Sequence, residues 1–210
     1  MHRPRTSDLL PPKSVIPVVT LARAEDAVPL AEALLAGGVK AIEITLRTDA
    51  AFAAAEAIAR HVPGVVLGIG TCVEPDQFAR ARDAGARFLV SPGFTPALDT
   101  AAAGTGLPWL PGVATASEAL AARAAGHREL KLFPANVAGG PGMLSALGAI
   151  LPDLRFCPTG GVTADNLAAY RDLPNVFAVG GSWLAPADAL RERRWDLVEA
   201  AAKVARTALG

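Results

Sequence analysis

A lysine stands inside a short apolar run, Glu129-Leu130-Lys131-Leu132-Phe133-Pro134-Ala135. Lysine is among the side chains least often fully buried, so this one needs either a partner or a chemical task. Burial disfavours its ammonium form, and a neutral amine is what condenses with a carbonyl to give an imine. A second run, residues 41–47, reads AIEITLR. In an extended chain, alternate side chains fall on opposite faces. Ile42, Ile44 and Leu46 then share one face, and Glu43, Thr45 and Arg47 the other. A carboxylate there can move protons, and a guanidinium can hold a substrate carboxylate in its planar fork; a structural ion pair is the other reading. The same parity sets Leu130 and Leu132 against Glu129, Lys131 and Phe133. Two paired-glycine segments, Thr159-Gly160-Gly161 and Gly180-Gly181-Ser182, could turn backbone N–H groups toward an anion, with the Ser182 hydroxyl beside them. Thr71 follows Gly68-Ile69-Gly70 and offers a hydroxyl, although a turn-capping threonine reads equally well. Ser91-Pro92-Gly93 reads equally as a plain turn.

These groups act together only if the fold collects them. Short β-branched or apolar runs recur at residues 15–20, 41–45, 65–69, 87–90, 107–111, 129–133, 154–157 and 176–179. Between them, apolar residues take helical spacing, as in residues 24–36, 50–60, 75–84 and 117–125. Gly37-Gly38, Gly85 and Gly126 read as helix stops, and Asp49, Thr115 and Thr163 as helix caps. Strands alternating with helices make a parallel sheet, and near-continuous apolar strands suit a sheet covered on both faces. Eight such units predict one compact (β/α)₈ TIM barrel, an α/β fold for which about 210 residues is near the short end. An open doubly wound sheet is the alternative; the missing GxGxxG and GxxxxGK[ST] fingerprints count against it. No linker divides the chain. Residues 14–210 are expected to form the catalytic barrel, with residues 1–13 as an N-terminal segment packed across one of its ends.

In such a barrel the active site lies at the C-terminal ends of the strands. That end would gather Glu43, Arg47, Thr71 and Lys131. The chain has only four lysines, and Lys13, Lys40 and Lys203 fall before the first strand, in a turn at the opposite end and in the last helix. Barrels often bind phosphate with the loops after the last two strands, where both glycine pairs fall. A substrate carrying a carboxylate at one end and a phosphate at the other would span this mouth. The alternative for Lys131 is permanent pairing with Glu43 or Glu129.

Composition narrows the partners. Twenty basic and twenty acidic residues give a formal net charge of zero, which offers no attraction to nucleic acid or an anionic membrane. No apolar run reaches the roughly 20 residues needed to cross a bilayer, and the first residues lack the apolar core of a secretory signal. Cys72 and Cys157 form no CxxC pattern, which suits a reducing cytoplasm. His2, His61 and His127 are scattered, so no histidine-based metal site is expected.

Taken in order, EITLRT (43–48), GIGT (68–71), SPG (91–93), LPG (110–112), KLFPA (131–135), FCPTGG (156–161) and GGSWL (180–184) resemble the 2-keto-3-deoxy-6-phosphogluconate (KDPG) and 4-hydroxy-2-oxoglutarate aldolase family. The likeness runs from about residue 15 to the C-terminus. It implies a (β/α)₈ barrel, usually a homotrimer, and a class I aldolase that forms a covalent imine and needs no metal or other cofactor. Carried over by motif, the Schiff-base lysine is Lys131 and the acid/base is Glu43. Arg47 and Thr71 hold the pyruvate carboxylate. Pro92 and Phe133 complete the substrate contacts, Thr159 handles hydroxyls of the aldehyde half, and Gly160, Gly161, Gly180, Gly181 and Ser182 take the phosphate. Two departures stand out. Asn136 follows FPA where many relatives have an acidic residue, and Cys72-Val73 follows GIGT; both bear on substrate range. The resemblance implies cleavage of KDPG to pyruvate and glyceraldehyde 3-phosphate in the Entner–Doudoroff pathway. Neighbouring readings are an aldolase preferring 4-hydroxy-2-oxoglutarate or the 6-phosphogalactonate epimer, a lysine-independent phosphosugar isomerase, and a non-catalytic phosphometabolite-binding barrel.

Overall fold

A computed structural model describes residues 3–209. His2 and the start of the expected N-terminal segment lie outside the described residues. Strands and helices alternate through most of the chain: β1 (Ser14–Val19), α1 (Ala27–Ala36), β2 (Ala41–Thr45), α2 (Ala51–His61), β3 (Val66–Gly70), α3 (Pro75–Asp83), β4 (Phe88–Val90) and α4 (Pro96–Thr105). Two very short strands follow, β5 (Trp109–Leu110) and β6 (Gly112–Val113), then α5 (Ala116–Ala124), β7 (Glu129–Leu132), α6 (Gly140–Ile150), β8 (Arg155–Pro158), α7 (Leu167–Arg171), β9 (Ala178–Gly181), α8 (Ala187–Arg191) and α9 (Trp195–Leu209).

The result is an α/β fold built on parallel strands. Six of them form a curled half-barrel in the order β5-β4-β3-β2-β1-β9, and three more the order β6-β7-β8. Two isolated parallel bridges, Phe156 to Val176 and Thr159 to Gly180, lie between β8 and β9. The fifth predicted run is therefore two strands, not one. Pro111 sits at the break and has no N–H to give a ladder. Leu110 O accepts from Ser91 on the β4 side, and Pro111 O accepts from Lys131 on the β7 side. The chain thus changes neighbours within two residues.

Two apolar layers lie between strands and helices. The larger packs Leu30, Leu34, Ile42, Ile44, Ile58, Ile69 and Phe78 together; the other centres on Leu130, Leu132, Leu144 and Phe156. A third cluster occupies the space the strands enclose: Leu10, Ile16, Ala41, Phe88, Val90, Leu110, Cys157, Phe177 and Ala178. Leu130 and Leu132 meet the helices, as strand parity requires. Thr115 caps α5 in a reciprocal capping box with Glu118. Asp49 is not a cap: the residue before α2 is Ala50, which makes no side-chain cap. Thr163 pairs with Asn166 in the turn before α7 rather than capping the helix directly.

The start of the chain crosses the end opposite the strands' C-termini. Ser7 N–H donates to Glu129 at 3.0 Å, and Arg155 lies 3.7 Å from the same carboxylate. Arg3 bonds Asp99, whose other oxygen is 2.7 Å from His127 Nε2. His127 is buried against Trp109 and Phe94. Burial holds its imidazole below the usual histidine value; Arg3 and Arg128 act in the same direction, and Asp99 only partly opposes them. Near pH 6.5 the unfolded chain therefore takes up a proton that the native state still refuses, so stability falls as pH drops through that range. Urea midpoints measured from pH 8 to pH 5 should decline in the natural protein. The decline between pH 6.5 and 5 should flatten in His127→Gln; an unchanged slope would remove His127 as its source.

Candidate active site

Lys131 is the third residue of β7, and Glu43 the third residue of β2. The two strands face each other across the enclosed space, and their side chains meet there. Lys131 Nζ donates to Glu43 Oε1 at 3.1 Å, with Oε2 at 3.5 Å. Lys131 is 5% exposed and Glu43 3%. A pair this dry is strongly held, because bulk water cannot screen it. Glu129 does not compete for the lysine. It shares the inward parity but lies two residues back, at the other end, with Ser7 and Arg155. The Lys131 ammonium position is also 5.2 Å from the Phe133 ring centroid.

Glu43 reaches Lys131 because β3 makes room. The two strands pair with Glu43 opposite Gly68 and Thr45 opposite Gly70. A Cβ on Gly70 would stand 1.9 Å from Glu43 Oε1. Thr71, next along, holds φ at +63°, an uncommon conformation for a β-branched residue, at the strand end beside the buried pair.

The Phe133 ring, its centroid 5.2 Å from Lys131 Nζ, lines a cavity of about 320 Å³ that also brings together Arg47, Thr159, Gly160, Gly161, Gly181 and Ser182. Lys131, Glu43, Thr71, Pro92 and Gly180 do not line it. Gly180 is buried beneath it, where a Cβ would be 2.2 Å from Thr159 Oγ1. Pro92 places its carbonyl over Gly112, 2.1 Å from where a Cβ would stand. The cavity also includes residues that strand parity did not single out: Thr20 at the end of β1, and Val162. Thr20 Oγ1 lies 2.7 Å from Thr45 Oγ1, which donates to Val19 O at 3.1 Å. Its position as the last residue of the first run, level with the end of β2, is the signal that could have found it.

The turn after β8 has a consistent polarity. Thr159 O accepts from Ala135 N–H at 2.8 Å, Gly160 O from Asn136 N–H at 3.0 Å, and Gly161 O from Asn166 Nδ2 at 3.0 Å. In a trans peptide the C=O and N–H point opposite ways. The N–H groups of Gly160, Gly161 and Val162 therefore face away from these donors; Gly160 N–H is turned to Gly180 by the Thr159–Gly180 bridge, while those of Gly161 and Val162 meet no backbone acceptor in the turns and loops of the described residues. Gly160 and Gly161 sit at φ +93° and +78°, the positive range that lets successive N–H groups form an anion-binding concavity.

Two thiols flank the buried pair. Cys157 lies opposite Lys131 in register. Burial pushes both it and Cys72 up to about 12, with the Glu43 charge adding to the rise at Cys72. Among the described residues, no group of three His, Cys, Asp or Glu side chains is placed to hold a metal ion.

The family model described as KDPG and KHG aldolase matches residues 7–201. A 2-dehydro-3-deoxy-phosphogluconate aldolase from Pseudomonas aeruginosa is 46% identical over 185 residues, 88% of this chain and 84% of its own. A KHG/KDPG aldolase from Escherichia coli is 44% identical over 196 residues, 93% of this chain and 90% of its own. Among solved structures, a KDPG aldolase from Legionella pneumophila superposes with a TM-score of 0.89 at 42% identity, covering 92% of this chain and 94% of its own. It was captured with pyruvate as a covalent carbinolamine intermediate.

The clearance at Gly70 generates a separable prediction. In Gly70→Ala the added methyl would displace the flexible end of Glu43 rather than backbone, so the fold should survive. If Glu43 is the acid/base that the resemblance implies, its loss from this position should lower kcat/KM by about 100-fold, while the urea midpoint moves little. Full activity in this variant would show that the Glu43 position does not matter.

Proposed function

The chain belongs to the KDPG and KHG aldolase family, and on that premise we propose the roles its residues play in a class I aldol cleavage. The protein is a class I aldolase that cleaves KDPG to pyruvate and glyceraldehyde 3-phosphate, a step of the Entner–Doudoroff pathway. The observation that carries the residue assignment is the buried contact between Lys131 Nζ and Glu43 Oε1 at 3.1 Å, with Phe133 linking Lys131 to a cavity lined by Arg47, Gly160, Gly161 and Gly181.

Lys131 attacks the C2 ketone in its neutral form and gives a carbinolamine. Glu43, directly or through a water, supplies and removes the protons as the C2 hydroxyl leaves as water and a protonated imine forms. Glu43 then takes the proton of the C4 hydroxyl. The C3–C4 bond breaks, its electron pair flows into the imine, and glyceraldehyde 3-phosphate leaves as an aldehyde. The remaining enamine is protonated at C3, and hydrolysis releases pyruvate and the free amine. The covalent imine is the electron sink, so no metal or other cofactor is called for. Arg47 and Thr71 hold the C1 carboxylate, Pro92 and Phe133 border the pyruvyl part, and Thr159 meets the hydroxyls of the aldehyde half. Gly160, Gly161, Gly180, Gly181 and Ser182 form the phosphate end; Gly180 contributes by leaving room for Thr159.

A phosphorylated substrate is favoured over unphosphorylated 4-hydroxy-2-oxoglutarate by the free N–H groups of Gly161 and Val162. We further read the two sheets as one closed (β/α)₈ barrel that begins at residue 14 and runs through the described residues to 209, supported by the bridges between β8 and β9 and by the change of neighbour at Pro111. Of the N-terminal segment 1–13, the described residues 3–13 are read as the cover, supported by Ser7 on Glu129 and by Leu10 in the enclosed cluster. The homotrimer and the cytoplasmic location follow from the family resemblance; among the described residues no helix is long and apolar enough to cross a membrane.

Incubation with pyruvate and borohydride should reduce the imine, attach a pyruvate-derived group to Lys131 and inactivate the enzyme, as read by peptide mass spectrometry. Lys131→Arg keeps the charge but should lose cleavage by at least about 10³-fold. No adduct on a folded protein, or substantial cleavage by the arginine variant, would refute the mechanism.

A further inference from the structure

We infer that Asn166 is a positioning residue for substrate phosphate, holding the Gly160–Gly161 turn so that its N–H groups face the cavity. The inference rests on the phosphate reading above. Each of the three carbonyls of the turn is tied back. Two ties are backbone bonds from Ala135 and Asn136, the segment that directly follows the Lys131 strand. The third, on Gly161 O, is the only one made by a side chain: Asn166 Nδ2 at 3.0 Å. The same carboxamide is anchored at its other end, where Oδ1 accepts from Thr163 N–H at 2.9 Å. Its orientation is therefore fixed from both sides.

What this tie prevents is a peptide flip. Gly160 and Gly161 lack side chains that would restrict the turn. The Asn136 side chain already fills the space where a Cβ on Gly161 would stand, with Cγ 2.2 Å away. Rotating the peptide between Gly161 and Val162 would turn the Val162 N–H out of the cavity and the Gly161 oxygen into it. A donor would become an acceptor facing an anion. Asn166 opposes that rotation without touching the substrate.

Asn166→Asp is the sharpest test, because it is close to isosteric. The carboxylate still accepts from Thr163 N–H but presents an oxygen, not a donor, to Gly161 O. The expected result is a rise of about tenfold in KM for KDPG, with kcat within about twofold. Competitive inhibition by inorganic phosphate should weaken in parallel. Inactivation by pyruvate and borohydride, which involves no phosphate, should keep its rate. Asn166→Ala removes both bonds without adding charge and should shift KM in the same direction. The inference is overturned if the pyruvate reaction falls as far as KDPG cleavage, if KM for KDPG is unchanged, or if only the aspartate variant is impaired. The phosphate reading fails in a different way: the unsubstituted enzyme would show no inhibition by inorganic phosphate.

Discussion

The contact between Lys131 and Glu43 is the constraint around which the rest of the interior is arranged. Two ionisable groups, each 5% exposed or less, sit where desolvation is costly and where their attraction is correspondingly strong. Such a pair persists only if both side chains arrive in register. Lys131 is delivered by β7, held between β6 and β8. Glu43 is delivered by β2, held between β1 and β3. The apolar cluster of Phe88, Val90, Leu110 and Cys157 closes the space beneath. Gly70 is small because the carboxylate needs its volume. The helices outside are packed by the opposite parity of the same strands, so one alternation supports both the core and the chemistry.

The same economy shapes the cavity. The segment after Lys131 gives two backbone donors to the turn after β8. The strand that carries the proposed nucleophile thus also orients the turn proposed to hold the far end of the substrate. Distance between the imine carbon and the phosphate is then set by hydrogen bonds between adjacent chain segments. This places reacting and anchoring groups on one rigid frame, which is how binding energy at a remote group can be spent on positioning.

Much of this was legible in the sequence, for definite reasons. Period-2 alternation put Glu43 and Lys131 on the inward face, and counting lysines singled out Lys131. The runs coincide with strands because parallel strands covered on both faces are apolar throughout. Parity alone could not say how far along the enclosed space a side chain lies. Glu129 therefore stood as a rival partner until its distance along β7 placed it with Ser7 and Arg155. The split at Pro111 was missed because a proline inside an apolar run looks like a strand end, whereas here the chain continues and exchanges neighbours. Asp49 looked like a cap by type, but the helix begins one residue later than its side chain could serve. Thr20 and Asn166 carry no periodic signal. One enters the cavity by ending a strand, and the other by a side-chain bond that only the folded turn creates.

The two cysteines illustrate why a nucleophilic residue near an active site need not be part of it. Cys157 stands opposite Lys131, and Cys72 follows Thr71 into the same buried region. The thiolate, not the thiol, is the reactive form, and burial pushes both thiols up to about 12. They therefore remain neutral over the physiological range. A thiolate beside Lys131 would stabilise an ammonium there and would itself attack carbonyl substrates. A neutral thiol does neither, and it fills the volume as a small apolar group would. The dryness that makes the lysine–glutamate pair strong thus also silences the two thiols beside it, which supports the proposal of Lys131 as the nucleophile.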